Sequence, residues 1–489
     1  MTDLSRVGIV DVGSNSVRLV VFDGMSRSPA YFYNEKVLCG LGAGLADSGK
    51  LNPEGRIRAL AALHRFVKLA DGMGVPQLTG VATAAVREAS DGSKFVDQVL
   101  RETGLDLKVA TGVEEAHLSA KGVLLGWPSA DGLVCDIGGA SMELARLRDG
   151  KIGESETSPL GPLKLKDFHG DDKALDKHIR KEIDKLLDTV GAEAKRLYLV
   201  GRSWRALARL DMVRRKYPFR VLHEYRMAPD EIKKTVKWIE SQSMEELLSQ
   251  TDTSPERINL VPMAGKVMAH LVRALDPSEV IISSYGLREG MLYDEMPESM
   301  RNLDPLIEAC RHMETTSARF PGFGRVLFEW LRPLYRERTD AERRLILAAC
   351  LLHDTSWQAH PDYRAEMCFE SITRANLSGI RHEQRLFLGL AILSRYKNSG
   401  YAGLSEAIME LLDDADIADA IKLGKAMRLG AMISGAQTTL LDHTALIIDG
   451  ETLVLEMTGD AAELNGEIVD KRLQSLASHM GLTPEIRLG

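Results

Sequence analysis

DVGSNSVRL at residues 11–19 and DIGGASMEL at residues 136–144 decide how this chain is built. Each runs from an apolar strand through Asp, an apolar residue and Gly into small residues and Ser, then into a second apolar strand. Asp, Gly, Ser and Leu recur at the same four offsets, 125 residues apart. Glycine and serine are common in turns, so either stretch alone reads as an ordinary hairpin. Agreement at four offsets inside similar strands points instead to a duplicated domain. The interval is too long for a solenoid, whose repeats run roughly 20–50 residues.

The flanks extend the pattern. Val7–Val12 with Val17–Phe22, and Leu133–Ile137 with Met142–Leu147, read as strand pairs about the two turns. Ile57–Leu69 places Ile57, Leu60, Ala61, Leu63, His64 and Val67 at helical spacing, Leu78–Thr83 reads as a strand and Glu114–Leu125 as a helix. This is an α/β alternation. From about residue 305 the texture becomes helical: Leu306–Arg319, Gly324–Tyr335, Ala341–His353, Glu366–Asn376, Gln384–Tyr396 and Gly403–Leu412. Thr444–Ile448 and Thr452–Met457 then flank an Asp-Gly turn, followed by a helix to about residue 480. The expected organisation is an α/β domain over 1–130, a second over 131–304, a mainly helical domain over 305–420 and a small α/β region over 421–489.

Composition bounds the class. The chain has 489 residues, 44% hydrophobic and 27% charged, enough for several cores. No apolar run approaches the roughly 20 residues of a membrane span, and Met1–Arg6 leads straight into a strand-like segment, so no membrane association or leader is expected. Cys39, Cys135, Cys310, Cys350 and Cys368 are five in number and form no CxxC pair. A reducing, cytoplasmic setting is expected. With 62 basic against 70 acidic side chains the net charge is −8, so nucleic acid is not expected as a partner and any polyanion must meet a local patch.

A Gly-rich turn lets backbone N–H groups approach an anion closely, and neighbouring hydroxyls add donors. In the first turn these are the amides around Gly13 with Ser14, Asn15, Ser16 and Arg18; in the second, the amides around Gly138, Gly139 and Ala140 with Ser141. Asp11 and Asp136 end their strands beside the turns, where carboxylate oxygens suit Mg²⁺ bridging to phosphate. Two such turns facing across a cleft would clamp a phosphate chain from both sides.

GIVDVGSNSVRLVVFD (8–23), VATAAVREASDG (81–92), TGVEEAHLSAKGV (111–123), LVCDIGGASMEL (133–144), SPLGPLKLKDF (158–168) and GLREGML (286–292) lie in matching order over the first 300 residues. On these segments the chain resembles the exopolyphosphatase / guanosine pentaphosphate phosphohydrolase (Ppx/GppA) family of the actin-like ATPase superfamily. The resemblance implies two actin-like, ribonuclease-H-like domains around a cleft, and Mg²⁺-dependent release of orthophosphate from the end of inorganic polyphosphate. Hydrolysis of guanosine pentaphosphate is the alternative; a superfamily kinase and a non-enzymatic polyphosphate or nucleotide sensor are the other readings. A homodimer is expected.

Carried over by the motifs, Glu115 is the glutamate that activates water, with Glu114 its adjacent competitor. Asp136 and Glu143 hold metal and water together with Asp11, and Thr83 and Arg87 form the phosphate-side pair. Arg18 stands at the repeat position of Glu143, a cation opposite an acid. Ala140 and Met142 replace a third glycine and a threonine of the family pattern, and Gly201–Arg205 replaces a Gly-Thr-rich turn, so no binding residues are carried over there. That stretch has its own signal. Lys195–Lys237 holds thirteen Lys/Arg against four Asp/Glu, with Trp204, Tyr217, Phe219 and Tyr225 interleaved. A polyanion track is one reading; a solvated basic face over an aromatic core is the other. Finally, His353-Asp354 resembles the pair of HD phosphohydrolases, with His360 and His382 following. No histidine lies in 319–325, and Lys397 stands where a later aspartate belongs. An HD-like domain with a degenerate metal site is expected, serving dimerisation or a grip on long polyphosphate.

Overall fold

The computed structural model describes residues 5–489 except 169, 252 and 398–403, so Gly403 of the helix expected over Gly403–Leu412 lies outside the described residues. The chain divides into two compact units, Met1–Leu303 and Asp304–Gly489.

In the first unit, β1 (Val7–Val12), β2 (Ser16–Phe22), β3 (Tyr31–Leu38), β4 (Gln77–Ala82) and β5 (Leu107–Val109) form one sheet in the order β3-β2-β1-β4-β5. β6 (Gly132–Ile137), β7 (Met142–Arg148), β8 (Lys151–Ser158), β9 (Arg196–Val200), β10 (Arg226–Met227) and β11 (Glu279–Ile282) form the other, in the order β10-β11-β9-β6-β7-β8. Three antiparallel strands followed by two parallel ones recur in both, with β6 in the place of β1. The duplication read from two turns thus extends to whole sheets, and the unit has two actin-like lobes.

The central strands read as near-continuous apolar runs because both faces are covered. Along β1, Val10 and Val12 point into one core with Val17, Leu19 and Phe66, while Val7 and Ile9 point into another with Phe22, Tyr285 and Leu292. In the second sheet, Leu133, Cys135 and Ile137 face Leu197, Leu199 and Trp204, and Val134 faces Ala120 and Val123 across the other side.

Two helices lace the lobes together. The Gly112–Gly126 helix, which ends the first lobe in sequence, packs Ala116, Ala120 and Val123 on the second sheet. The Leu287–Glu295 helix, which ends the second lobe, returns to pack Met291 and Leu292 on the first. They touch through glycines: a Cβ on Gly290 would lie 1.7 Å from the Leu118 carbonyl oxygen, and one on Gly122 2.3 Å from that of Gly286. Within the expected second domain, 131–304, the Leu287–Glu295 helix thus belongs to the first sheet's core.

The second unit is mainly helical and closes on a three-stranded sheet, β12 (Thr444–Asp449), β13 (Thr452–Met457) and β14 (Thr483–Leu488), in that order. The Asp414–Ser434 helix runs through the boundary expected at 420/421, and Asp304–Gly489 is one compact unit. No helix among the described residues is long and apolar enough to cross a membrane.

Candidate active site

Both hairpin turns close the same way. Gly13 N–H donates to the Ser16 carbonyl at 3.0 Å, and Gly138 N–H to that of Ser141 at 2.9 Å. The first turn is held from behind by Gly42 N–H on the Ser14 carbonyl, 2.8 Å, and by Cys39 and Gly40 N–H on the Asn15 carbonyl, 3.0 and 3.1 Å. The second turn rests on Gly161, where a Cβ would come within 2.2 Å of the Ala140 carbonyl carbon; Leu163 N–H also donates to the Gly139 carbonyl at 2.9 Å. Thr83 joins the first turn's strand, its N–H donating to the Val12 carbonyl at 3.1 Å and its hydroxyl to the same oxygen at 3.4 Å.

Register places the charged residues. Asp11 pairs across β1–β2 with Arg18, and Asp136 pairs across β6–β7 with Glu143. The Asp136 carboxylate accepts from the Ser119 hydroxyl, and Glu143 accepts from Thr157 Oγ1 at 3.2 Å. Burial raises the proton affinity of both; at Asp136 the Ser119 hydrogen bond and Arg205 oppose the rise and Asp11 adds to it, while at Glu143 it is chiefly Glu115 that adds.

The adjacent glutamates separate cleanly. Glu114 completes a capping box with Thr111 and pairs with Lys108 at 2.8 Å; that ion pair and the Thr111 N–H bring its pKa down to about 2. Glu115, one residue on and so about 100° around the helix, has only 12% of its side chain exposed and accepts from Arg87, whose Nη1 also donates to the Ala110 carbonyl at 2.7 Å. Burial lifts the Glu115 pKa to about 7; Arg87 opposes this, while Asp136 and Asp11 add to it.

Beside these carboxylates is a cavity of about 380 Å³ lined by Arg18, Arg202, Arg205, Arg209, Arg257 and Arg288, with Ala206, Leu222, Thr253 and Ser284. Arg202, Arg205 and Arg209 stand at i, i+3 and i+7 on the Arg202–Arg214 helix, one face of it. Arg205 Nη1 donates to the Ser284 carbonyl at 3.3 Å. Burial and the surrounding guanidinium groups bring Arg18 down to about 9. Lys36, opposite Arg18 on β3, falls to about 8 through burial and then Arg202, Arg257 and Arg18. Of these groups, Arg18 was expected on the turn and Arg202–Arg209 sat inside the basic stretch without assigned roles. Arg288 lay unassigned in GLREGML, and Arg257 carried no signal. Of the aromatics in the basic stretch, Trp204 and Tyr225 are fully buried core residues and Phe219 is buried, while half-buried Tyr217 packs against the core and, with Phe219, lines a second cavity beside Arg209, Lys216 and Arg220.

Among the described residues, no group of three or more His, Cys, Asp or Glu side chains converges as a metal cage. Mg²⁺ is ordinarily held by one or two carboxylates, with phosphate and water completing its shell. Asp136, Asp11 and Glu143 supply hard oxygens of that kind beside an anion cavity, so the donor set fits such an ion. In the second unit, His353 is buried with Nδ1 on the Cys350 carbonyl at 2.8 Å, and Asp354 is gripped by Arg319 at 2.8 Å through both Nε and Nη2. His360 is exposed and His382 buried.

Two actin-like lobes with matched glycine–serine turns, carboxylates and a cationic cavity define a phosphate-handling enzyme of the actin-like superfamily. Residues 20–299 match the model of the Ppx/GppA phosphatase family, and residues 306–486 match that of the exopolyphosphatase C-terminal domain. The chain belongs to the Ppx/GppA phosphatase family, whose members are hydrolases. "Exopolyphosphatase 1" of Mycobacterium tuberculosis is 25% identical over 338 residues, covering 64% of this chain and 92% of that one. "Retrograde regulation protein 2" of Saccharomyces cerevisiae is 24% identical over 439 residues, covering 80% and 72%. The crystal structure of an exopolyphosphatase from Cytophaga hutchinsonii shares the fold with TM-score 0.54 and 24% identity, covering 61% of this chain and 99% of that one.

Proposed function

We propose that the chain is an exopolyphosphatase, which hydrolyses the terminal phosphoanhydride of inorganic polyphosphate with Mg²⁺ and releases orthophosphate. The six-arginine cavity beside the paired turns carries this reading. A linear phosphate chain presents charge at every unit and no apolar surface, and it matches a wall whose apolar members are Ala206 and Leu222 alone among the described lining residues. No aromatic stands among those residues to stack a guanine. The relatives named exopolyphosphatase support the same choice.

Glu115 serves as general base. It takes a proton from water as the water oxygen bonds to the terminal phosphorus and the bridging P–O bond breaks, leaving orthophosphate and a chain shorter by one unit. A carboxyl with a pKa of about 7 is matched to this task, because it is half ionised at neutral pH yet basic enough to accept the proton. Arg87 orients the carboxylate. Asp136, with Glu143 and Asp11, would hold Mg²⁺, which when bound neutralises phosphoryl oxygens. The turn amides of Ser14 to Ser16 and Gly139 to Ser141, with Arg18, Thr83 and the cavity arginines, bind the anion, while the Gly13 and Gly138 amides close the turns.

The test is orthophosphate release from long polyphosphate, short polyphosphate and guanosine pentaphosphate, each with millimolar Mg²⁺. Faster release from polyphosphate is expected. Release from guanosine pentaphosphate alone would move the reading to the nucleotide hydrolase, and tight binding without turnover to a sensor.

A further inference from the structure

Two hydroxyls stand behind the carboxylates. Ser119 lies one turn beyond Glu115 on the Gly112–Gly126 helix, and residues four apart share a helix face. It is buried, and its Oγ donates to Asp136 Oδ2. Thr157 pairs with Glu143 across β7–β8 and donates through Oγ1 to Glu143 Oε1 at 3.2 Å. Asp136, Glu143 and Thr157 thus form one row across β6, β7 and β8. The helix face that carries Glu115 also carries a donor to the carboxylate at the head of that row.

Glycines fix both donors. The helix that carries Ser119 starts at Gly112, where a Cβ would lie 2.5 Å from Thr157 Cγ2 and 3.0 Å from Thr157 Oγ1. Further along it, a Cβ on Gly122 would meet the Gly286 carbonyl. Contacts on either side of Ser119 therefore set where its hydroxyl reaches β6. Gly201 approaches the other oxygen of Asp136. Its φ is +110°, and a Cβ there would lie 2.5 Å from the Ile137 carbonyl oxygen and 3.0 Å from Asp136 Oδ1. Glycine alone meets both demands, which gives this residue of the 201–205 turn a role. Among the described residues Oδ1 accepts no hydrogen bond, so Asp136 keeps one oxygen engaged and one without a donor.

A carboxylate turns about its last bond, and neighbouring carboxylates repel it into other orientations. A donor held on one oxygen fixes the plane, so that the ordering is complete before a ligand binds. We propose that Ser119 and Thr157 are positioning residues for the divalent cation, each holding one oxygen of Asp136 or Glu143 and presetting the carboxylate plane. Hydrogen bonds of this kind, made to the groups that hold a metal, are worth about ten- to hundredfold in metal affinity. The proposal rests on the reading of these carboxylates as the holders of Mg²⁺. It assigns the two hydroxyls to the affinity for the cation and not to the grip on phosphate, which belongs to the turns and the arginines.

Calorimetric titration of the full-length protein with Mg²⁺, in millimolar orthophosphate, tests this without turnover. Wild type is compared with Ser119→Ala, Thr157→Val, Thr157→Ser and Asp136→Asn. Ser119→Ala and Thr157→Val should each bind Mg²⁺ about ten- to hundredfold more weakly, whereas Thr157→Ser, which keeps the hydroxyl, should bind it as wild type does. Orthophosphate affinity in EDTA should be unchanged in all three, a readout that a loosened fold would also lower. The Mg²⁺ concentration for half-maximal phosphate release should rise by the same factor as the binding constant. If Ser119→Ala folds poorly, the pair Thr157→Val and Thr157→Ser carries the comparison. Wild-type Mg²⁺ binding in Ser119→Ala and Thr157→Val, with loss in Asp136→Asn, would overturn the positioning role and leave the hydrolase reading standing. Wild-type Mg²⁺ binding in Asp136→Asn would take the cation away from these carboxylates and overturn the metal reading together with the proposal.

Discussion

The two hairpins of the first unit share a backbone and differ in one register pair. In β1–β2 the strand-end aspartate faces Arg18; in β6–β7 it faces Glu143. The Arg18 side lies against five further arginines, while the Glu143 side lies among carboxylates that raise one another's proton affinity. The duplicated hairpins thus differ at a single cross-strand position: the first turns a cation toward a cavity whose other arginines come from residues 202–288, and the second turns an acid toward its neighbouring carboxylates.

Breaking the acidic half has the largest expected effect. Glu115→Gln should lower kcat by about 10²–10⁴-fold, while Glu114→Gln, which touches only the helix cap and Lys108, should leave it within about twofold. Equal losses in steady-state phosphate release would undo the separation of the two glutamates. Glu143→Ala should follow, with kcat reduced roughly 10–100-fold and KM little changed. Arg18→Ala should show the opposite split, raising KM about tenfold with a smaller change in kcat. Initial rates over a substrate series decide between them, and the reverse pattern would erase the distinction between the two hairpins.

A subtler test concerns pH. kcat/KM should rise with pH through about 7 as Glu115 loses its proton. Arg87 favours the ionised form, so Arg87→Gln should move that limb upward by about one pH unit. A limb that stays or moves down would separate Arg87 from the base. Smallest in its effect on chemistry is Gly290→Ala, which places a methyl against the Leu118 carbonyl. It should lower the stability of the first unit by about 1–3 kcal/mol in denaturant melts, with substrate discrimination unchanged.

What could be read from the chain follows from where each signal lives. β1, β2, β6 and β7 were legible because central strands buried on both faces are apolar throughout. β3, β8 and β14 were not: YFYNEKVL, KIGESETS and TPEIRL lie at sheet edges, carry exposed polar residues and give no clean alternation. Glu115 was singled out only by the motif that carries the family resemblance, whereas the turns stood out because each is contiguous in sequence. The arginine cavity did not, since Arg18, the Arg202–Arg209 face, Arg257 and Arg288 come from four separate segments that only the fold brings together. The basic stretch left two readings open because its aromatics are spaced by the core beneath a helix, where Trp204 and Tyr225 are buried, while its arginines are spaced by the cavity.

The exchange of helices between the lobes has a consequence for how the proposed base is held. Arg87 follows Ala85 and Val86, which sit in the first sheet's core, whereas Glu115 rides on a helix that packs Ala116, Ala120 and Val123 on the second sheet and Leu125 on the first. Their contact joins two side chains whose backbones are supported by different cores. A substitution deep in either core thus reaches this carboxylate without touching it.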